Sequence, residues 1–458
     1  MRDFLEGVRR VTVVGAGKSG TASALFLKLR LGLEVLVSEA SASVDGANLA
    51  SLEEAGVAFE VGGHSERAFS CDLMVLSSSV SPSSAAVREA ERRGVPLVGE
   101  LELAWRLLPP VRRLYCVTGT NGKSTTTALI GHLLKPMGEV FVGGNFGNPA
   151  INACAGDYDF VVWEVSSYQL HWADSFAPDV GVLTNVEPDH LDWHGSFEAY
   201  LEAKLKLIRI SREWALYPVE LAHRVGSSVR ARRAVLLRSE GGVSLDAEGS
   251  ILWADEEVLL RREGEVLELF RRGELPLLGL HNLENASYAC AAVALAEGVP
   301  GGFGESLRSF KPLPHRTEEV STFRGVRFVD DSKGTNVAAA VAALRSIEGR
   351  KVVILGGRGK GEDYSPLASA VKRWARGAIL IGEEARPISE ALLREGFSSF
   401  RLARDMDEAV ELAFSMAEPG DVVLLSPACA SFDMFKNYAH RGQAFREAVR
   451  RLIEAHGL

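Results

Sequence analysis

A chain of 458 residues has room for about three domains at roughly 100–200 residues each, which excludes a single small binding module. Apolar residues make up 47% of it and charged residues 24%, which excludes disordered and collagen-like chains. Its 51 Lys and Arg against 60 Asp and Glu leave a net charge of −9, so global electrostatics offers nucleic acid or a membrane surface no attraction and an anionic ligand must be held locally.

Short apolar runs alternate with helix-period segments along most of the chain, which predicts parallel βαβ units. The first elements are a buried strand over Val11–Val14, the turn Gly15-Ala16-Gly17-Lys18-Ser19-Gly20, a helix over Thr21–Leu31, and a strand from Glu34 to Val37 ending in Ser38-Glu39. Gly15, Gly17 and Gly20 with Glu39 satisfy the dinucleotide fingerprint: glycine permits a tight turn and brings backbone N–H groups close to a pyrophosphate at a helix N-terminus. The pattern leaves three readings open: NAD(P), another nucleotide diphosphate, or a βα turn with no ligand. This block closes near Glu100–Leu108, before Pro109-Pro110.

A strand at Arg113–Val117 leads into Gly119-Thr120-Asn121-Gly122-Lys123-Ser124-Thr125, and a helix is predicted from Thr126 to Leu134. This order is that of a phosphate cradle: backbone donors wrap the phosphates, Lys123 reaches the β and γ oxygens, and the Ser124 or Thr125 hydroxyl faces Mg²⁺. The full Walker spacing wants glycine where Val117 stands. Glu164, late in an apolar strand over Asp159–Val165, is a carboxylate whose burial needs a cation, and a metal beside the phosphate loop would supply one. After a strand at Val180–Leu183, the stretch Asn185 to Asp192 gathers oxygen and imidazole groups, although His190 alone reads as a hydrogen-bonded loop histidine. Lys204, on a helix predicted over Phe197–Ile208, reads as a solvated lysine. Residues Arg230–Arg272 suit short antiparallel strands.

Past Lys311-Pro312-Leu313-Pro314, strands are predicted at Arg327–Val329, Lys351–Leu355, Ala378–Ile381 and Asp421–Leu425. Lys360 also reads as a solvated lysine, yet it follows a strand end, where ligands bind in open α/β sheets. Five single cysteines (Cys71, Cys116, Cys154, Cys290, Cys429) form no CxxC pair and suit a reducing compartment. No apolar window reaches the roughly 18 residues of a membrane span, so a cytoplasmic protein without a targeting segment is expected.

Taken together, Gly119 to Thr125, Gly144-Asn145-Phe146-Gly147-Asn148-Pro149, Glu164-Val165-Ser166-Ser167-Tyr168-Gln169, Asn185 to Asp192, His281 to Ala286, Pro314-His315-Arg316, Asp331 to Asn336 and Ser426 to Asp433 resemble the Mur ligases of peptidoglycan synthesis. The last run, continuing through Phe435-Lys436-Asn437-Tyr438 and Arg441-Gly442, resembles the branch that adds D-glutamate; the Asp-Asn-Pro-Arg stretch of the diamino-acid branch does not occur. The resemblance implies an α/β fold of three domains. These are a Rossmann-like domain at 1–105 for a uridine-nucleotide substrate, a P-loop ATPase-like, mainly parallel domain at 106–311 for ATP and metal, and a Rossmann-like domain at 312–458 for the amino acid. A folylpolyglutamate-type or other Mur-type amide ligase is the alternative, and an NAD-dependent oxidoreductase would leave the phosphate loop and Glu164 without a role.

By the same resemblance, the substrates are ATP, UDP-N-acetylmuramoyl-L-alanine and D-glutamate, with two Mg²⁺ ions and no nucleic-acid or membrane partner, and the protein is expected to be a monomer. Gly15, Gly17, Ser19, Gly20 and Glu39 would take the uridine diphosphate end, where Ser77-Ser78-Ser79 departs from the family's Ser-Pro-Gly. Gly119 to Thr125 would hold the ATP phosphates; Lys123, Glu164, His190 and Lys204 would be catalytic, and Ser124, Glu164, His190 and Lys204 would hold the metals. Lys204 matches the lysine that the family carbamylates, which reverses its reading as a solvated cation. Asn282 and Asn285 would meet the adenine, Arg316 and Asp331 the nucleotide, and Asn145 and His315 substrate or phosphate. Thr335, Lys360, Ser431, Phe432 and Tyr438 would surround D-glutamate, with Tyr438 adding a hydroxyl where the family often has Phe.

Overall fold

The runs at Val11–Val14, Leu73–Leu76 and Cys116–Val117 carry no charged residue on either face, as expected of strands covered on both sides by helices. A computed structural model shows them so; it describes residues 3–226, 229, 231–236, 249–254, 256–299 and 302–456. The chain divides into two compact units, one of residues 1–275 with 285–309, the other of residues 276–284 with 310–458.

The first unit holds two sheets. The first comprises β1 (Arg10–Val14), β2 (Glu34–Glu39), β3 (Ala58–Val61), β4 (Leu73–Leu76) and β5 (Leu97–Gly99) in the order β3-β2-β1-β4-β5, all parallel. The order reverses between β1 and β4, so the C-terminal ends of these two strands frame a crevice of the kind that binds nucleotides in such sheets.

The second sheet comprises β6 (Arg113–Thr118), β7 (Val140–Gly144), β8 (Phe160–Glu164), β9 (Val180–Leu183), β10 (Trp214–Pro218), β11 (Arg232–Leu236), β12 (Gly249–Ala254), β13 (Glu257–Arg262) and β14 (Glu265–Arg271). Its order is β14-β13-β12-β11-β10-β9-β6-β8-β7. It is parallel from β7 to β12, while β12, β13 and β14 form an antiparallel edge, as the sequence suggested for this stretch. Arg230, residues 237–248 and Asp255 of that stretch lie outside the described residues. Strand β6 sits between β8 and β9, so the loop after it opens between their C-terminal ends.

One continuous core runs through both sheets of this unit, from Val11 and Val13 of β1 through Leu101 and Leu103 to Cys116 of β6 and Trp163 of β8. That shared core accounts for the grouping of two sheets into one unit.

The second unit holds β15 (Glu318–Phe323), β16 (Val326–Asp330), β17 (Lys351–Gly356), β18 (Ala375–Ile381), β19 (Phe400–Leu402) and β20 (Val422–Leu425), in the order β15-β16-β20-β17-β18-β19. Only the edge pair β15–β16 is antiparallel. Apolar clusters cover the two faces, with Val353 and Leu355 in one and Val352 and Ile354 in the other, as the period-2 alternation of a strand requires. Among the described residues, no helix is long and apolar enough to cross a membrane.

Candidate active site

In the first sheet, the helix expected from Thr21 begins at Lys18, so Gly20 lies within it rather than in the turn. Glycine is required at two of the three positions for different reasons. Gly15 has φ +103 and a Cβ there would strike the Ser77 hydroxyl, while a Cβ at Gly20 would strike the carbonyl oxygen of Gly15. At Gly17, the N-cap, a Cβ would meet nothing within 4 Å. Glu39 accepts the Ala16 N–H at 2.9 Å and the Ser41 N–H at 2.8 Å, tying the end of β2 to the turn. Ser19 lies beside it, its hydroxyl 3.5 Å from the Ser78 amide nitrogen. Gly15, Gly17, Ser19, Gly20 and Glu39 are thus brought together at the β1–β4 crevice.

The loop Gly119 to Gly122, predicted to cradle phosphates, follows β6. Its helix runs Lys123–Leu134, so Lys123, Ser124 and Thr125 form the first turn, where backbone N–H groups are unused by the helix and can face an anion. Two glycines shape the loop: Gly119 has φ +149 and Gly122 φ +81, and Cβ atoms there would strike Thr184 and Asn285 respectively. The segment after β9 braces it. Thr184 donates to the Asn121 carbonyl at 2.6 Å, Asn185 accepts the Asn121 N–H at 2.9 Å, and Thr120 donates to the Glu187 carbonyl at 3.1 Å. The Lys123 ammonium donates to the carbonyls of Gly119 and Thr120, both at 2.8 Å.

Glu164, at the end of β8, is 3% exposed. The Ser124 hydroxyl donates to one carboxylate oxygen and the Asn145 amide to the other at 3.0 Å. Asn145 can approach because Gly144, φ +95, leaves the Glu164 backbone unobstructed. A buried carboxylate and a hydroxyl, both hard oxygen donors, suit a small divalent cation. Among the described residues, no group of three or more His, Cys, Asp and Glu side chains is gathered as a metal site.

Lys204 is 2% exposed, which corrects its reading as a solvated helix lysine. Its helix, Phe197–Ile210, turns Lys204 inward with Tyr200, Leu201 and Leu205. The ammonium donates to the Gly119 carbonyl at 2.7 Å and lies 4.6 Å from the centre of the Tyr200 ring. Burial, and then the nearby Lys123 charge, hold its pKa well below the ordinary lysine value, with Asp189 and Glu164 opposing the shift. His190 adopts φ 55, with its Nε2 3.6 Å from the Asp189 carboxylate and its ring 5.0 Å from Tyr168.

Two participants were not singled out in the sequence. Tyr200 bonds Thr120 hydroxyl to hydroxyl at 2.9 Å, and its place four residues before Lys204 on one helix face was the available signal. Asp189 lay inside the stretch noted after β9, but its burial was not evident there.

Of the two asparagines, Asn285 is buried in the first unit, where its side chain accepts from Thr126 at 3.4 Å. Asn282 falls in the segment grouped with the second unit and donates to the Leu278 carbonyl at 2.7 Å.

In the second unit the loops after β16, β20 and β17 lie side by side, because those three strands are neighbours and parallel. They carry Thr335, Ser431 with Phe432, and Lys360. Ser431 is buried, Lys360 is exposed and Phe432 is 63% exposed. Tyr438 begins the last helix, with the Lys333 ammonium 4.2 Å from the centre of its ring. His315 pairs with Asp330 at 2.7 Å, and Asp331 accepts from Ser426 at 2.7 Å and from the Thr317 N–H at 3.2 Å. Burial pushes the Asp331 carboxyl up to about 7, while the Ser426 hydrogen bond and the Arg316 charge oppose the shift.

Residues 10–86 match the model described as the MurD N-terminal domain, residues 117–293 the Mur ligase middle domain, and residues 315–429 the Mur ligase glutamate ligase domain. The UDP-N-acetylmuramoylalanine–D-glutamate ligase of Pelotomaculum thermopropionicum is 39% identical over 458 residues, covering 98% of each chain. That of Salinibacter ruber is 39% identical over 465 residues, covering 97% of this chain and 98% of its own. Among solved structures, MurF ligase from Thermotoga maritima in complex with ADP aligns with TM-score 0.59 at 18% identity, over 99% of this chain and 100% of the other.

Proposed function

The chain belongs to the Mur ligase family, and on that premise we propose that it joins D-glutamate to UDP-N-acetylmuramoyl-L-alanine with ATP, as a cytoplasmic monomer making a peptidoglycan precursor. The D-glutamate assignment follows from relatives of that name at 39% identity over nearly the whole chain. The observation that carries the chemistry is the phosphate loop bonded through Ser124 to the buried Glu164, with the buried Lys204 on the loop's own carbonyl.

In this reading residues 1–105 take the uridine nucleotide end through the Gly15–Gly20 turn, residues 106–311 take ATP, and residues 312–458 take D-glutamate. The free carboxylate of the L-alanyl group is a poor electrophile. It attacks the γ-phosphorus of ATP; the bond to the β-phosphate oxygen breaks and an acyl phosphate and ADP result. Lys123 and the first-turn N–H groups neutralise the charge that spreads over the phosphate oxygens. The amine of D-glutamate then attacks the acyl carbon, a tetrahedral adduct forms, phosphate leaves and the nitrogen loses a proton, so no protein nucleophile is needed. Lys360 pairs a carboxylate of D-glutamate, and Thr335, Ser431, Phe432 and Tyr438 complete that cradle. Asn282, Asn285, Arg316 and Asp331 are assigned to the nucleotide, and Asn145 and His315 to substrate or phosphate.

Two Mg²⁺ ions, assigned to Ser124, Glu164, His190 and Lys204, would supply charge neutralisation for the phosphoryl transfer. For Lys204 this requires a chemical change. An amine whose charge is disfavoured by burial is nucleophilic toward CO₂; the nitrogen–carbon bond forms, a proton is lost, and an anionic carbamate replaces a repelling cation.

The test is phosphate release from ATP with UDP-N-acetylmuramoyl-L-alanine, with and without D-glutamate. Turnover that ignores D-glutamate, or that strongly prefers another amino acid, would overturn the assignment.

A further inference from the structure

The last helix, Tyr438–His456, carries a guanidinium buried to 1% exposure at Arg441. It is one of the largest fully buried side chains among the described residues, and its bonds go to neutral oxygens of two loops. Nε donates to the Ser332 hydroxyl at 3.0 Å and Nη2 to the Ser332 carbonyl at 2.9 Å. Nη1 donates to the Cys429 carbonyl at 3.0 Å and the Ala430 carbonyl at 3.3 Å. Burying a charge costs several kcal/mol unless its donors are satisfied, so these bonds fix the loops to the guanidinium as firmly as they hold the guanidinium itself.

The anchored positions flank the amino-acid cradle. Ser332 stands three residues before Thr335, and Ala430 immediately precedes Ser431 and Phe432. Ala430 also exchanges two backbone hydrogen bonds with Arg358, at 2.8 and 2.9 Å, two residues before Lys360. A Cβ on Gly357 would strike the Ala430 carbonyl and come 3.1 Å from Arg441 Nη1, so glycine there lets the third loop close on the same point. One planar fork of five donors thus sets the spacing of all three loops, a task that the single point charge of lysine cannot perform.

We propose that Arg441 is the positioning residue of the amino-acid cradle, spacing the loops of Thr335, Lys360 and Ser431–Phe432 for a dicarboxylic amino acid without touching it. The proposal depends on the reading that these loops bind D-glutamate, and the test separates the two. In the full chain, R441K is expected to raise KM for D-glutamate at least tenfold. KM for ATP and for the uridine nucleotide should stay within twofold, and so should the rate of acyl phosphate formation without D-glutamate, read by hydroxylamine trapping. S332A, which deletes one hydroxyl acceptor and is mild enough to fold, should raise KM for D-glutamate by a smaller factor, again selectively. Unchanged KM for D-glutamate in a folded R441K or S332A overturns the proposal. So does a uniform fall in all parameters together with the unfolding temperature, which is the signature of a purely structural role. K360A serves as the control on the cradle: if it leaves KM for D-glutamate unchanged, the reading of the loops fails whatever Arg441 does.

Discussion

Gly122→Ala tests the phosphate loop by geometry alone. Gly122 has φ +81, and a Cβ would strike the Asn285 side chain. Holding alanine in the left-handed region costs about 1–2 kcal/mol. Displacing the buried Asn285 amide, which accepts from Thr126, costs about 1 kcal/mol more. The reduced freedom of the unfolded chain returns about 0.5 kcal/mol. Roughly 2 kcal/mol remains, which is about 30-fold in an equilibrium constant. If the loop keeps its shape, the cost appears as lost stability; if it relaxes, the cradle is lost and ATP binds more weakly. Calorimetric titration with ADP and thermal unfolding of the same sample therefore measure the two shares, and their sum should reach that figure. Affinity within twofold and an unfolding temperature within about 1 °C of the parent would together refute the idea that this glycine is dictated by the loop.

The contrasting change is Gly17→Ala, where a Cβ has open space: the unfolding temperature should not move, while KM for the uridine nucleotide should rise several-fold, and an unchanged KM would remove the turn from the substrate site. Lys204→Ala should lower turnover about 100-fold or more, with partial recovery on adding short carboxylates; parent-level activity in the variant sinks the carbamate assignment. Glu100, buried and bonded to the Ile151 N–H at 3.1 Å, has its carboxyl pushed up to about 7 by burial from an ordinary 4.5. Between those values the folded chain keeps a proton that the unfolded chain has released, so stability falls as pH rises through that window and levels off above it, by about 3 kcal/mol in all. Glu100→Gln removes that slope, and urea unfolding at pH 5 and pH 8 should show the variant gaining on the parent at the higher pH; an equal gap at both would dismiss the account.

The features legible in the sequence are those that chain order and local backbone chemistry settle. A glycine loop between an apolar strand and a helix has few alternatives, and both such loops stand at strand ends where the strand order opens a crevice. Boundaries were less legible. Both helices after these loops start three residues earlier than expected, at Lys18 and Lys123, because Lys18-Ser19-Gly20 and Lys123-Ser124-Thr125 have no apolar periodicity to mark a first turn. Nor does the sequence show that the first two sheets share one core, since strands buried on both faces read alike whichever neighbour covers them.

Lys204 and Arg441 show why charged residues are the hardest to place. On a helix with an apolar stripe, a lysine beside the stripe snorkels to water unless something at its tip repays the burial, and here the partners are the Gly119 carbonyl and the Tyr200 ring, contributed by tertiary contacts that local pattern does not encode. Arg441 likewise depends on loops more than a hundred and about a dozen residues away in the chain. Lys123 and Arg441 are both cations in a protein of net charge −9. Overall attraction draws no anionic substrate to such a surface, so each positive group near a site must be fixed in place by specific oxygens before it can serve. That requirement makes the carbonyls of Gly119, Thr120, Cys429 and Ala430, invisible in any motif, as decisive for these sites as the side chains the motifs name.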